Sequence, residues 1–234
     1  MNLGKMWQIF IDEVVNVAYV NILIGLRNTI IIAFLGLLIG IVIGTIIACV
    51  KIAEKESVII KIFACIGDVY TALFRGTPIV VQLLVFHYIL FPIVGININE
   101  LYEAILVFGF NSSAYVAEIM RGGILSVDIG QTEAGRTLGF SYVSTMVKIV
   151  FPQAVKNVLP TLGNELIMLL KDTSVASFIT VVDITKAFTL IPGKTYEYIV
   201  PYLMLALCYL VIIIIVTLLI RLLERRLRKS ERRN

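Results

Sequence analysis

EIMRGGILSVDIGQTEAGRTLGFSYVSTMVKIVFPQAVKNVLP, residues Glu118 to Pro160, is a polar, glycine-punctuated segment held between two strongly apolar runs. Asp128 followed by Gln131 has the form of a capping box, in which a carboxylate and the N3 side chain satisfy otherwise orphaned backbone donors, so the spacing predicts a short helix opening there. The helix should run about ten residues and stop at Gly139, which can adopt the left-handed conformation that satisfies the last carbonyls. A second apolar segment then restarts and meets Pro152. The segment reads as a helical hairpin-like knob. Within it Glu133, Ala134 and Gly135 put one carboxylate beside two side chains too small to hold a partner away, a composition that invites close docking.

The chain around the knob belongs in a bilayer. Its 234 residues are 59% hydrophobic and 15% charged, with a mean hydropathy of +0.96, which excludes an ordinary soluble domain. The weak basic character of Lys5, the interruption by Asp12 and Glu13 and the length of the first apolar run argue against a cleavable signal. Cys49, Cys65 and Cys208 are odd in number, lie in apolar segments and show no CxxC spacing, so they are expected to be buried small hydrophobes, with neither disulfide nor metal implied.

Taken in order, residues 1–21 predict an external interfacial helix, with Trp7, Phe10, Ile11, Val14, Val17 and Ala18 opposite Asp12, Glu13 and Asn16. Residues 22–223 predict five membrane spans: Ile22 to Val50, Pro78 to Val94, Leu101 to Met120, Ala154 to Ile179 and Tyr198 to Leu223. Gly36, Gly40 and Gly44 fall on one face of the first, either as a tight helix interface or as general packing. Lys51 to Arg75 suits a cytoplasmic loop leading into an amphipathic helix, the coupling loop occupies about 122–152, and 224–234 is a basic cytoplasmic tail.

Orientation follows from the Lys and Arg of the short loops. With the C-terminus cytoplasmic, the inside holds Lys51, Lys55, Lys61, Arg75, Arg121, Arg136, Lys148, Lys156 and the seven basic residues from Arg221 to Arg233. Outside remain Lys5, Arg27, Lys186 and Lys194. The knob is then cytoplasmic and the N-terminus external. The tail is read as topological anchoring and attraction to anionic lipid.

The chain is not expected to be an enzyme or to hold a cofactor of its own. Gly193-Lys194-Thr195 hints at a phosphate-binding loop, but its first glycine would have to stand where Phe188 stands, and the segment is external. His87 is the sole histidine and sits inside an apolar span, so no histidine metal cluster forms and the residue reads as a packing or hydrogen-bonded helix histidine.

Glu133-Ala134-Gly135, then Gly139, Ile149 and Pro152 resemble the EAA loop of ABC importer permeases, although that pattern usually has a second alanine where Gly135 stands. Phe74-Arg75-Gly76-Thr77-Pro78 with Gln82 resembles the FRGTP…Q signature of the polar amino-acid branch. Asn111 to Glu118 is similar to its NSGAY segment, departing at Ser113, and Leu162-Gly163-Asn164 with Leu169 to Ser174 completes the set. The resemblance implies an all-α integral membrane protein of the type I ABC importer fold, five transmembrane helices with a cytoplasmic helical coupling loop. It further implies a dimer with a second permease copy or paralogue, ABC ATPase subunits that bind the ATP, an extracytoplasmic solute-binding protein, and a bacterial inner-membrane location.

Glu133, Ala134, Gly135 and Gly139 are then the ATPase-coupling candidates. For the substrate path the candidates are Gln82, Asn111, Tyr115, Asn164, Glu165 and Asp172. Asn111, Tyr115 and Glu118 share one helix face, as do Glu165 and Asp172. Ionisable groups at membrane depth require water or partners, which leaves two readings: a hydrated path, or structural pairs among Glu165, Lys171 and Asp172. Glu118, beside Arg121, belongs at the cytoplasmic end. The alternative class is a channel or secondary transporter, which would need no knob.

Overall fold

The structure is a computed structural model that describes residues 4, 8, 10–15, 18–53, 57–192 and 197–231. Much of the expected interfacial helix, the Gly193-Lys194-Thr195 segment and the end of the basic tail lie outside the described residues. Every regular element among the described residues is helical. The principal ones are α1 (Tyr19–Ile52), α2 (Val58–Gly76), α3 (Ile79–Val94, with a π-helical turn at Phe86–Leu90), α4 (Glu100–Leu125), α5 (Ile129–Thr137), α6 (Tyr142–Thr145), α7 (Phe151–Asp172), α8 (Ile184–Thr189) and α9 (Ile199–Glu231). A π-turn, Met146–Val150, joins α6 to α7, and a 3-10 turn, Thr173–Ile179, follows α7.

α1 and α9 are long and apolar enough to cross a membrane, and α2 with α3 forms a third apolar unit bent by 108° at its break. α4 and α7, of 26 and 22 residues, are more polar. The segment expected as a loop leading into an amphipathic helix has that form, a break after Ile52 followed by a 19-residue helix that joins α3 through that bend. Its Ser57 cap accepts from the Ile59 amide, its small residues Ala64, Gly67 and Thr71 face the bundle, and Ile59, Phe63, Ile66, Val69 and Leu73 remain exposed. An apolar outer face suits lipid better than water.

The core is built on α1 against α4. A Cβ added at Gly40 would stand 2.7 Å from Ser112 Oγ, and one at Gly44 would stand 2.7 Å from the Ser113 carbonyl oxygen. The three-glycine stripe is therefore the close interface that its spacing allowed, with the α1 backbone against Phe108 and Ser112 side chains and, at Gly44, against the α4 backbone. Around it Ile32, Leu37, Val107, Phe108, Val116 and Leu169 form one continuous cluster. At the opposite end from the knob, Asn28 Nδ2 donates to the Val182 carbonyl and Thr29 Oγ1 accepts from the Ile184 amide, which pins α8 onto α1.

Charged residues of three helices gather at the end of α1. Lys51 Nζ on α1 lies 2.9 Å from Asp68 Oδ1 on α2 and 2.6 Å from Glu118 Oε1 on α4, while Arg121 Nε donates to Glu118 Oε2 at 2.9 Å. Glu118 is thus in an ion network beside the knob, as its neighbour Arg121 suggested. His87 also has a partner: its Nδ1 lies 2.5 Å from Glu103 Oε2. The cysteines depart from expectation, since Cys49 and Cys65 are exposed and Cys208 half-buried, because their helices turn those apolar faces outward.

A cavity at a broken helix and a capped knob

The cavity begins at the break between α2 and α3. Pro78 has no N–H, so the Phe74 carbonyl loses the donor that a continuous helix would supply. Such a break is tolerated at membrane depth only where other groups satisfy the freed backbone. Gln82 does this: its Nε2 donates to the Phe74 carbonyl at 2.8 Å, to the Thr77 carbonyl at 2.9 Å and to Thr77 Oγ1 at 2.9 Å. Thr77 Oγ1 in turn donates to the Leu73 carbonyl at 2.8 Å. The Gln82 Oε1 accepts from Asn111 Nδ2 at 2.9 Å, tying the break to α4. Gln82 is 5% exposed.

Below the break opens a cavity of about 350 Å³, whose walls include Arg75, Asn111, Tyr115, Glu165, Met168 and Asp172. That volume falls in the range of small-molecule sites. Helical periodicity explains the wall: Asn111 and Tyr115 are one turn apart on α4, and Glu165, Met168 and Asp172 recur at three- and four-residue spacing on α7. Glu165 is 6% exposed and is held by Ser112 Oγ, which donates to its Oε1 at 2.9 Å. Because Ser112 is the residue that Gly40 lets so close to α1, the helix interface and the acidic wall share one side chain. The Arg75 guanidinium lies 5.7 Å from the centre of the Tyr115 ring, within reach of a cation–π contact.

Of the six path candidates, Asn111, Tyr115, Glu165 and Asp172 line the cavity. Gln82 does not; its amide is used by the break and by Asn111. Asn164 does not either, being exposed on another face of α7. No ion pair joins Glu165, Lys171 and Asp172 among the described residues of this chain. Arg75, which was not among the path candidates, is also a wall residue, beside the middle of α4. The signal for it was its place next to the Pro78 break, where a helix end opens toward the bundle.

The knob forms as its caps dictate. Asp128 Oδ1 accepts from the Gly130 amide at 2.7 Å, opening α5. Gln131 does not complete the box; its Oε1 accepts from Gln153 Nε2. At the other end Gly139 has φ 82°, and the Phe140 and Gly139 amides donate to the Gly135 and Arg136 carbonyls at 3.1 and 2.9 Å, a Schellman closure. Ser141 then caps α6 by accepting from the Ser144 amide. Glu133, Ala134 and Gly139 are exposed, whereas Gly135 is buried and faces back into the knob. Apolar side chains accompany the exposed face: Ile129, Leu138, Val143 and Val147 are each more than half exposed.

Comparisons with known proteins converge on one family. Residues 40–229 match the model of the binding-protein-dependent transport system inner membrane component. The arginine transport system permease protein ArtQ of Bacillus subtilis is 35% identical over 90% of this chain and 94% of its own length. A putative glutamine transport system permease protein GlnP of Rickettsia bellii is 35% identical over 80% of this chain and 84% of its own. The crystal structure of an amino acid ABC transporter with histidines superposes with a TM-score of 0.80 and 38% identity, covering 92% of this chain and 98% of that one. An inward-facing MetNI methionine ABC transporter shares the fold, with a TM-score of 0.75 at 17% identity over 97% of this chain and 99% of that one. These matches set aside the channel and secondary-transporter alternative. The chain belongs to the family of binding-protein-dependent transport system inner membrane components, as the permease subunit of an amino-acid ABC importer.

Proposed function

We propose that this permease carries a cationic amino acid through the cavity below the α2–α3 break. The observation that carries the reading is the charge of the wall: one cation, Arg75, against two carboxyl groups, Glu165 and Asp172, leaves a formal excess of one negative charge. An α-carboxylate has a partner in Arg75, and a cationic side chain or α-amino group has partners in Glu165 and Asp172. The name of the Bacillus subtilis relative, an arginine permease, agrees with this chemistry. A neutral amide substrate would leave one of the two wall carboxyl groups without a counter-charge.

The surrounding machine completes the reading. Five spans place the N-terminus outside and the C-terminus in the cytoplasm, which puts α5 on the ATPase side, and two permease copies or paralogues share a pair of ATPases. Glu133 and Ala134 with the apolar residues around them form the ATPase contact, Gly135 and Gly139 shape it, and an external binding protein delivers the amino acid. ATP is bound by the partner subunit.

Uptake competition in proteoliposomes tests the substrate. Arginine, lysine or ornithine should compete with one another and glutamine should not. Glu165→Gln and Asp172→Asn should each lower uptake at least about tenfold, the equivalent of ~1.4 kcal/mol, with normal membrane content. Normal transport per folded molecule in both variants would make these residues structural and refute the assignment.

A further inference from the structure

One side chain in the knob has no role in any motif and an unusual environment. Thr145, the last residue of α6, is fully buried, and its Oγ1 has no hydrogen-bond partner among the described residues. It faces Gly135 across the knob. A Cβ added at Gly135 would lie 2.7 Å from Thr145 Cγ2, 2.8 Å from Thr145 Oγ1 and 3.2 Å from Ile149 Cδ1. Thr145 therefore fills the space that a side chain at position 135 would need.

A β-branched residue has few χ1 states in a helix, so both branches of Thr145 are fixed when one is. With its hydroxyl unpaired, what Thr145 contributes is shape. It is a wedge seated in a notch, and the depth of the notch sets how closely α5 approaches α6. Glu133 and Ala134 on α5, and Leu138 at its C-terminal cap, are exposed. Any change in the α5–α6 separation re-aims them.

We propose that Thr145 is the positioning residue of the coupling knob: seated against Gly135, it fixes the angle at which α5 presents Glu133, Ala134 and Leu138 to the ATPase. The inference rests on the reading of the knob as the ATPase contact. It also assigns Gly135 a different task from its two neighbours, since Gly135 receives this chain's own Thr145 while they face outward.

The experiment uses the complete transporter, permease with ATPase and binding protein, in liposomes. Its readouts are permease content in the membrane and the ratio of ATP hydrolysis with loaded binding protein to basal hydrolysis. Gly135→Ala should lower that ratio about tenfold, as added volume in a packed contact does. Gly135→Ala combined with Thr145→Ala should bring it back to within about twofold of wild type, because the clashing atoms are gone. Thr145→Val, which keeps the shape and removes the hydroxyl, should leave the ratio unchanged. If Gly135→Ala fails to insert, the double variant should restore both content and ratio. A double variant no better than Gly135→Ala, a silent Gly135→Ala, or a Thr145→Val as impaired as Gly135→Ala would each overturn the inference. A wild-type transporter whose hydrolysis ignores the binding protein would overturn the reading of the knob, and the inference with it.

Discussion

Replacing Gln82 by Met keeps the length of the side chain and removes its hydrogen-bonding ends, which makes it a direct test of how the helix break is held. Four groups lose a partner: the Phe74 carbonyl, the Thr77 carbonyl, Thr77 Oγ1 and Asn111 Nδ2. Thr77 is exposed, so water replaces its share. Phe74 and Asn111 are buried at 7% and 6% exposure, and the residual contact from Asn111 Nδ2 to the Phe74 carbonyl, at 3.4 Å, is long. An orphaned buried polar group costs ~1–3 kcal/mol, so the pair costs ~2–6 kcal/mol. At ~2–4 °C per kcal/mol for a chain of this size, the midpoint of thermal unfolding in detergent should fall by at least about 4 °C. Gln82→Glu should do no better, because a carboxylate keeps the acceptor for Asn111 but cannot donate to the two carbonyls. Uptake should fall in equal proportion for every transported amino acid, since the whole cavity wall shifts. A Gln82→Met transporter with the wild-type midpoint and a selective loss of affinity for one amino acid would refute this account and return the Gln82 amide to the substrate.

Gly40→Ala should damage transport through Ser112: its Cβ would stand 2.7 Å from Ser112 Oγ, the donor to Glu165, and overpacking of ~1–3 kcal/mol should appear as reduced uptake together with a lower unfolding midpoint. A Gly40→Ala variant with full uptake would mean that Ser112 is not needed at Glu165. Single cysteines at Ser141 and Asn97, in a background lacking Cys49, Cys65 and Cys208, should label from the cytoplasmic and the external side respectively with a membrane-impermeant maleimide; reversed labelling would invert the topology.

What was legible in the sequence was what depends on neighbours along the chain. Asp128 and Gly139 bound α5 by local capping, and the glycine stripe of α1 falls on one face by periodicity alone. On α4 and α7 the same periodicity brought Asn111, Tyr115, Glu165 and Asp172 to one cavity. Contacts across the fold were not legible. The amide of Gln82 is claimed by Phe74, eight residues earlier and on the far side of a bend, and nothing local distinguishes that from a substrate contact. Asn164 lies one position from Glu165, and the helical rotation between them is enough to carry it out of the cavity. Gly135 looked like part of an outer surface because its neighbours are; its burial depends on Thr145, ten positions on.

The contact of α1 with α4 constrains how a path can open at all. Where two helices meet through side chains, rotamer changes supply a compliant layer and the helices can slide. At Gly40 and Gly44 that layer is thin: α1 lies against the short Ser112 side chain, the Ser113 carbonyl oxygen and the Ala117 amide nitrogen. At one end the same two helices are clamped again by Lys51 and Glu118. α1 and α4 therefore behave as a single rigid beam, and a stroke delivered by an ATPase cannot be absorbed as slippage between them. Motion then falls to the stretches where the helices are interrupted, among them the Thr77–Pro78 break on the rim of the cavity, whose movement would have to exchange the Gln82 hydrogen bonds that hold it.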